Sequence, residues 1–357
     1  MEIRKVSMKE YSALQVGGMG DLVVVKSEEE LKEAIEHAKA VGLRVHILGS
    51  GTNTYFAEDL SKYLFLKLEI IGYKIQDTGS KKQGGSDTNN EKPASPAGGR
   101  ITNNEVFLTA FAGETFDDIV KYSVEQNLWG IENLSHIPGS VGAAPVQNIG
   151  AYGVELKDTL VSVRVFDLEA NLFKDLLNSE CDFAYRDSIF KHNPGKYIII
   201  SITLNLTKKF KPVLEYKPLD SLQWKADLTS KDVRDLVIAT RLTKLPDWKK
   251  FPNTGSFFKN IIITKEEWEA LKMTYPDMPV HEVRGGYKVP TAWLIEHVAD
   301  AKGLKVGDVG TWPNQPLVIV NYGNADAEEI NEFASNIQKK VEEKTGIKLE
   351  REVNFVN

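Results

Sequence analysis

Residues 138–153 read Pro-Gly-Ser-Val-Gly-Ala-Ala-Pro-Val-Gln-Asn-Ile-Gly-Ala-Tyr-Gly, sixteen positions with four glycines, three alanines and no charged side chain. Side chains this small let the backbone come close to something flat or bulky and permit positive φ angles that other residues avoid. Gln147 and Asn148 are the main polar groups, and an amide both donates and accepts. Taken alone, the stretch is either a tight-turn loop or the wall of a site for a large heteroaromatic ligand.

With 357 residues the chain exceeds one simple core and implies two or three domains. Apolar content of 42 % and charged content of 26 % fit a globular protein. The net charge of −6 is spread along the chain; no Lys/Arg cluster argues for nucleic acid and no basic amphipathic segment for a membrane surface. The single cysteine, Cys181, can form neither an internal disulfide nor a thiolate metal site. The start, Met-Glu-Ile-Arg-Lys-Val, lacks the apolar core of a signal peptide, and the longest apolar run, 197–202, is far short of a membrane span. These features point to a reducing cytoplasm.

Strands and helices alternate along the chain, so the class is α+β with at least one mixed sheet. A strand at 21–26 leads into a helix capped by Ser27, with Glu30 completing a capping box and Gly42 ending it, and a second strand at 45–48. The sequence Leu48-Gly-Ser-Gly-Thr-Asn-Thr follows. It is neither a Walker loop nor a Rossmann fingerprint; it is either a turn or a cradle of backbone N–H groups for a pyrophosphate. Residues 76–104, polar and rich in Gly, Ser and Asn, read as a disordered insertion. Beyond it the pattern predicts strands at 106–111, 160–166 (Val161, Val163 and Val165 on one face) and 197–206. Helices follow at 116–124, capped by Thr115 and Asp118, and at 229–242. After a boundary near 246 come helices at 264–273, from Pro290 to Gly303 and at 325–345, with strands at 317–321 and 347–355.

The histidines, at 37, 46, 136, 192, 281 and 297, do not pair in a zinc pattern, so no metal is expected, and a Gly-x-Ser-x-Gly elbow is absent. Several segments hold groups that are open to two readings. Arg186 in Tyr185-Arg-Asp-Ser-Ile-Phe-Lys191 is a solvated loop residue or a guanidinium offered to a carboxylate or carbonyl. Ser256 in Gly255-Ser-Phe-Phe-Lys-Asn260 is a helix cap or a proton donor. Lys244 is a surface lysine or a point charge for phosphate. Glu352 in Glu350-Arg-Glu-Val353 sits on the solvent face of an edge strand or in a site.

The order of these segments resembles the UDP-N-acetylenolpyruvoylglucosamine reductase family. The carriers are Leu48–Thr54, Ile137–Leu156, Tyr185–Lys191, Gly255–Asn260, Val289-Pro-Thr-Ala-Trp-Leu-Ile-Glu296 and Glu350–Val353, in the family's order and across nearly the whole chain apart from 76–104. Tyr185–Lys191 and Leu214-Glu-Tyr216 resemble the long, type I form, in which a tyrosine-bearing loop closes over substrate. The resemblance implies a two-part FAD-binding fold of the vanillyl-alcohol-oxidase/PCMH type plus an α/β substrate-binding domain. The implied division is 1–70 completed by a C-terminal strand at 347–357, then 71–245, then 246–346. It implies FAD held by Gly49, Ser50, Gly51, Thr52, Asn53, Gly113, Pro138, Gly139, Asn148, Ile149, Gly150, Ala151 and Gly153. The implied catalytic residues are Ser256 as proton donor to carbon, Glu352 across the reacting double bond and Arg186 beside the enolpyruvyl carboxylate. Tyr152, Tyr216, Lys244, Asn260 and Gln315 are the implied substrate contacts.

The implied reaction is NADPH-driven reduction of UDP-N-acetylglucosamine enolpyruvate to UDP-N-acetylmuramate, a step of peptidoglycan precursor synthesis. The expected protein is a cytoplasmic monomer without nucleic-acid or membrane partners. A sugar or lactone oxidase of the same fold is the competing reading; it explains the two loops but not Ser256 and Glu352 together.

Overall fold

The computed structural model describes residues 1–77, 104–283 and 285–357. The predicted insertion, 76–104, therefore lies almost wholly outside the described residues; Gln76 and Asp77 end a strand, Tyr73–Asp77. The chain groups into two compact units. The first holds residues 1–4, 22–50 and 62–241; the second holds 5–21, 51–61 and 242–357. Segments 5–21 and 51–61 join the C-terminal part instead of an N-terminal domain. The cause is burial: Leu14, Val16 and Tyr55 are fully buried in one core with Phe257, Phe258, Ile319 and Ile330.

In the first unit a five-stranded antiparallel sheet runs in the order Leu172–Leu177, Leu160–Asp167, Tyr197–Thr207, Glu105–Phe111, Tyr73–Asp77. The strand 160–167 buries Val163 and Val165 and leaves Ser162 and Arg164 half-buried, the period of two its sequence predicts. Thr109 and Thr203 face each other across the central pair with hydroxyls 2.9 Å apart. The helix Phe116–Glu125 forms as expected, but the Thr115 hydroxyl makes no cap; its carbonyl accepts the Asp118 N–H instead.

The N-terminal sheet is ordered Arg4–Ser7, Met19–Val25, Asp59–Leu68, Arg44–Leu48. Its helix, Glu28–Val41, starts at Ser27, whose hydroxyl accepts the Glu30 N–H at 3.1 Å, and ends at left-handed Gly42. The reciprocal half of the expected box is shifted by one residue: the Glu30 carboxylate takes the N–H of Lys26, at 2.7 Å.

In the second unit the C-terminal helix, Ala327–Thr345, begins two residues later than predicted because Asp326 and Glu329 form its capping box. Ile330, Phe333, Ala334, Ile337 and Val341 face the core as their spacing requires. Two expectations fail here. The helix after Pro290 is short, Thr291–Trp293 followed by a π turn Leu294–Val298, so it does not reach Gly303. The predicted last strand, 347–355, reduces to Asn354–Val356, parallel to Thr54–Phe56. The chain switches partner there: Glu350 and Glu352 bond to residues 257–259, whereas Asn354 bonds to Asn53, and no continuous ladder survives the change.

His46, on the strand that leads into residues 49–54, lies edge-on to Tyr63 and Phe65. Burial pushes its pKa down to about 4. A depressed histidine stays neutral in the fold while the unfolded chain takes a proton, so stability is lost as pH falls from about 6.5 towards 4, by at most about 3 kcal/mol. Urea midpoints of the wild-type protein and of His46→Gln should therefore converge between pH 7 and pH 4.5; a constant gap contradicts the burial argument.

Candidate active site

In the first unit the two small-residue loops meet. A Cβ on Gly49 would lie 2.9 Å from the Ser140 hydroxyl and 3.4 Å from the Ala143 methyl. The second loop is not slack. Residues Val141–Gln147 form a 3₁₀ helix, and the N–H groups of Val141 and Gly142 are taken by the carbonyls of Glu114 and Ala112. A Cβ on Gly113 would press within 2.9 Å of the backbone of Ile70 and Leu68, and one on Gly142 within 2.7 Å of Ala112. At these positions glycine lets protein approach protein. Among the described residues, the N–H groups of Gly49, Ser50, Gly51 and Thr52 carry no hydrogen bond. Unbonded backbone donors in a glycine loop suit an anionic ligand such as a pyrophosphate, and this is the observation by which the residues fit FAD. Gly51 itself is obligatory: φ is +67°, and a Cβ would fall 1.9 Å from the Tyr11 carbonyl.

Asn148 ends the 3₁₀ helix in the left-handed region, φ 44°, and is completely buried. Its Nδ2 donates to the Glu155 carboxylate at 3.1 Å and to the Ala184 carbonyl at 3.0 Å; its Oδ1 accepts the Lys157 N–H at 3.0 Å. The side chain offered by the sequence as a ligand contact is thus a staple holding the loop to the segment that bears Arg186. Beyond it a two-residue turn at Tyr152 and Gly153, φ 48° and 84°, joins Gly150–Ala151 to Val154–Glu155.

Arg186 has φ 52°, rare for a side chain of its size, between the paired residues Ala184 and Asp187. Its Nη2 donates to the Gly150 carbonyl at 2.9 Å, and its guanidinium lies 5.4 Å from the Tyr185 ring centre. Tyr152 meets Tyr216 edge-on at 6.4 Å, and the buried Asn133 donates to the carbonyls of Tyr152 and Val213, at 2.8 and 2.9 Å. Burial raises the Tyr152 phenol, opposed by the charge of Arg241. Arg241 is a residue that the sequence did not single out. It donates to the His136 carbonyl at 3.2 Å, and burial lowers its pKa; the like charge of Arg186 adds to that, while Tyr152 and Asp117 oppose it. Two guanidinium groups close enough to repel each other beside tyrosines form a field suited to an anion. Nothing in the local sequence, Arg241-Leu-Thr-Lys244, marks the first cation over the second.

In the second unit Ser256 ends the strand Asn253–Ser256, opposite Val318 of the strand Gln315–Asn321. The next residue, Phe257, accepts the Glu352 N–H at 2.8 Å through its carbonyl, and Lys259 donates to Glu350 at 2.9 Å. The main chains carrying Ser256 and Glu352 therefore run side by side. The Asn53 Nδ2 donates to the Glu352 carbonyl at 3.1 Å, so this amide also supports the segment that bears Glu352. The Asn260 side-chain oxygen Oδ1 accepts the Thr291 N–H at 3.0 Å, opening the short helix. Gln315 is half-buried at the start of its strand, and Lys244 is exposed at the end of the helix Ser230–Lys244.

Family models match two parts of the chain: the C-terminal domain of UDP-N-acetylenolpyruvoylglucosamine reductase at 247–356 and an FAD binding domain at 99–174. The reductase of Flavobacterium johnsoniae is 38 % identical over 364 residues, covering 100 % of both chains. That of Aliivibrio fischeri is 36 % identical, covering 98 % of this chain and 93 % of the relative. The chain belongs to the UDP-N-acetylenolpyruvoylglucosamine reductase family. The crystal structure of the Thermus caldophilus reductase matches the full length of both chains with a TM-score of 0.65 at 23 % identity, which establishes the family's fold for this α+β chain.

Among the described residues no group of three or more His, Cys, Asp or Glu side chains is placed to hold a metal ion, and no helix is long and apolar enough to cross a membrane. Replacing Asn148 with alanine removes three hydrogen bonds and leaves a non-glycine residue in the left-handed region. We expect a loss of about 3 kcal/mol in urea unfolding, together with most of the flavin that copurifies. A variant that keeps both contradicts the staple.

Proposed function

We propose that Ser256, Glu352 and Arg186 carry the reduction of UDP-N-acetylglucosamine enolpyruvate to UDP-N-acetylmuramate, with NADPH as reductant and FAD as cofactor. The observation that carries this reading is the pairing of the Phe257 carbonyl with the Glu352 N–H, which aligns the two chain segments bearing the proton donor and the carboxylate. The chemistry that bound FAD would supply is the relay of hydride from NADPH to the terminal carbon of the enol ether. Gly49–Asn53 and the loop 138–153 are the segments that hold FAD, through backbone donors and close approach.

The residues of the chain then have separate tasks. Hydride arrival leaves an electron pair on the neighbouring carbon, delocalised into the carboxylate. Arg186, held by the Gly150 carbonyl, stabilises that charge, and Arg241 adds to the same positive field. Ser256 transfers its hydroxyl proton to the carbon; an alcohol is a weak acid, but an enolate carbon is a strong base, so fixed geometry suffices. Glu352 orients the enolate from its own side. Tyr152, Tyr216, Lys244, Asn260 and Gln315 contact the UDP-sugar. The proposed functional division, FAD-binding parts 1–70 and 71–245 and a substrate part 246–346 with 347–357 completing the first, cuts across the two compact units, because 5–21 and 51–61 pack with 242–357. The enzyme works in the cytoplasm as a monomer, where NADPH and nucleotide sugars are supplied, with no nucleic-acid or membrane partner; the dispersed net charge of −6 agrees with that.

Purified protein should be yellow. Ser256→Ala should bleach with NADPH at the wild-type rate, yet reoxidise on the enolpyruvyl sugar about 10²–10⁴-fold more slowly, the usual worth of a positioned acid. Equal loss in both half-reactions makes Ser256 structural. Anaerobic reoxidation by the enolpyruvyl sugar separates this reaction from that of a sugar or lactone oxidase, which turns over only with oxygen.

A further inference from the structure

Glu352 is preceded by a cation with unusually complete bonding. The Arg351 Nε donates to Gln338 Oε1 at 3.1 Å; Nη1 donates to Asn331 Oδ1 at 2.5 Å and to the Tyr55 hydroxyl at 3.4 Å; Nη2 donates to the Asn331 carbonyl at 3.1 Å and the Ser335 hydroxyl at 2.9 Å. Its guanidinium also lies 5.9 Å from the centre of the Phe257 ring. Asn331, Ser335 and Gln338 are spaced by four and three residues, so they present one face of the helix Ala327–Thr345. A planar fork matched to three successive positions of a rigid helix is a geometric clamp, and charge-assisted bonds are the strong ones.

The segment needs such a clamp. Residues 350–352 form no strand: a single bridge joins Arg351 to Phe258, and the chain changes partner before Asn354. Two main-chain bonds to 257–259, the Lys259–Glu350 ion pair and the Asn53 amide hold it to its neighbours, and from the C-terminal helix Gln338 Nε2 donates to the preceding Leu349 carbonyl at 2.7 Å, so the Arg351 guanidinium completes the attachment to that helix. A carboxylate displaced by about 1 Å loses roughly 10²-fold in a reaction that depends on its placement.

We propose that Arg351 is a positioning residue for the reaction: it fastens the 350–352 segment to the C-terminal helix and so sets where Glu352 stands relative to Ser256. This rests on the role given to Glu352 above. The test uses the FAD-loaded enzyme, with the two half-reactions measured separately for Arg351→Gln, Arg351→Lys, Glu352→Gln and the double variant Arg351→Gln with Glu352→Gln. Bleaching by NADPH should stay within about twofold of wild type, while reoxidation by the enolpyruvyl sugar falls about 10- to 100-fold in Arg351→Gln and recovers in part in Arg351→Lys. In the Glu352→Gln background the Arg351→Gln change should cost nothing further, because the residue it positions is already gone. Additive losses, or equal losses in both half-reactions, overturn the proposal. Should Arg351→Gln not fold, Asn331→Ala, which deletes one of the helix acceptors, carries the same comparison at smaller size. Full reoxidation in Arg351→Gln with a crippled Glu352→Gln overturns the positioning role alone; full reoxidation in Glu352→Gln overturns the role of Glu352 and this one with it.

Discussion

A main-chain hydrogen bond 2.8 Å long, from the Glu352 N–H to the Phe257 carbonyl, closes the end of the chain onto the residue that follows Ser256. Nearly one hundred positions separate the two segments in sequence, so the pairing is a product of the core beneath it. Phe257, Phe258, Ile319, Ile330 and Ile337 are each at most 2 % exposed and bury Tyr55 among them. Backbone pairing of this kind holds adjacent chain segments at a set spacing, which suits the acid-and-carboxylate pair proposed for Ser256 and Glu352.

The same economy governs the first unit. Its glycines let one segment close on another: Gly113 on the Ile70 backbone, Gly142 on the Ala112 methyl, Gly49 on the Ser140 hydroxyl. Asn148 and Asn133 use their amides to tie separate loops to one another. Such buried, bonded amides are costly to break and hold a loop in one conformation. Rigidity here serves Arg186, whose strained φ persists because the pairing of Ala184 with Asp187 and the Gly150 carbonyl fix it from both sides.

Much of this was legible residue by residue. The helix at 28–41, the strands at 105–111, 160–167 and 197–207 and the C-terminal helix follow from caps and apolar periods, signals that are local and survive any tertiary arrangement. The segments bearing Ser256, Glu352 and Arg186 were identified through their order along the chain. What local reading missed depends on distant partners: the partner change that breaks the last strand at Glu352, the clamp of Arg351 on a helix, and Arg241, whose surroundings come from residues 117, 136, 152 and 186.

Sequence alone determined the class of the fold, the family and the identities of the groups available for chemistry, because these depend on residue type, spacing and order. Tertiary structure alone decided which of those groups remain available. The amides of Asn148 and Asn53 are spent on holding the chain together, whereas Ser256 is set beside the segment of Glu352. The reason is that a hydrogen-bonding group serves a ligand only when the fold has not already claimed it, and the claimants lie tens to hundreds of residues away.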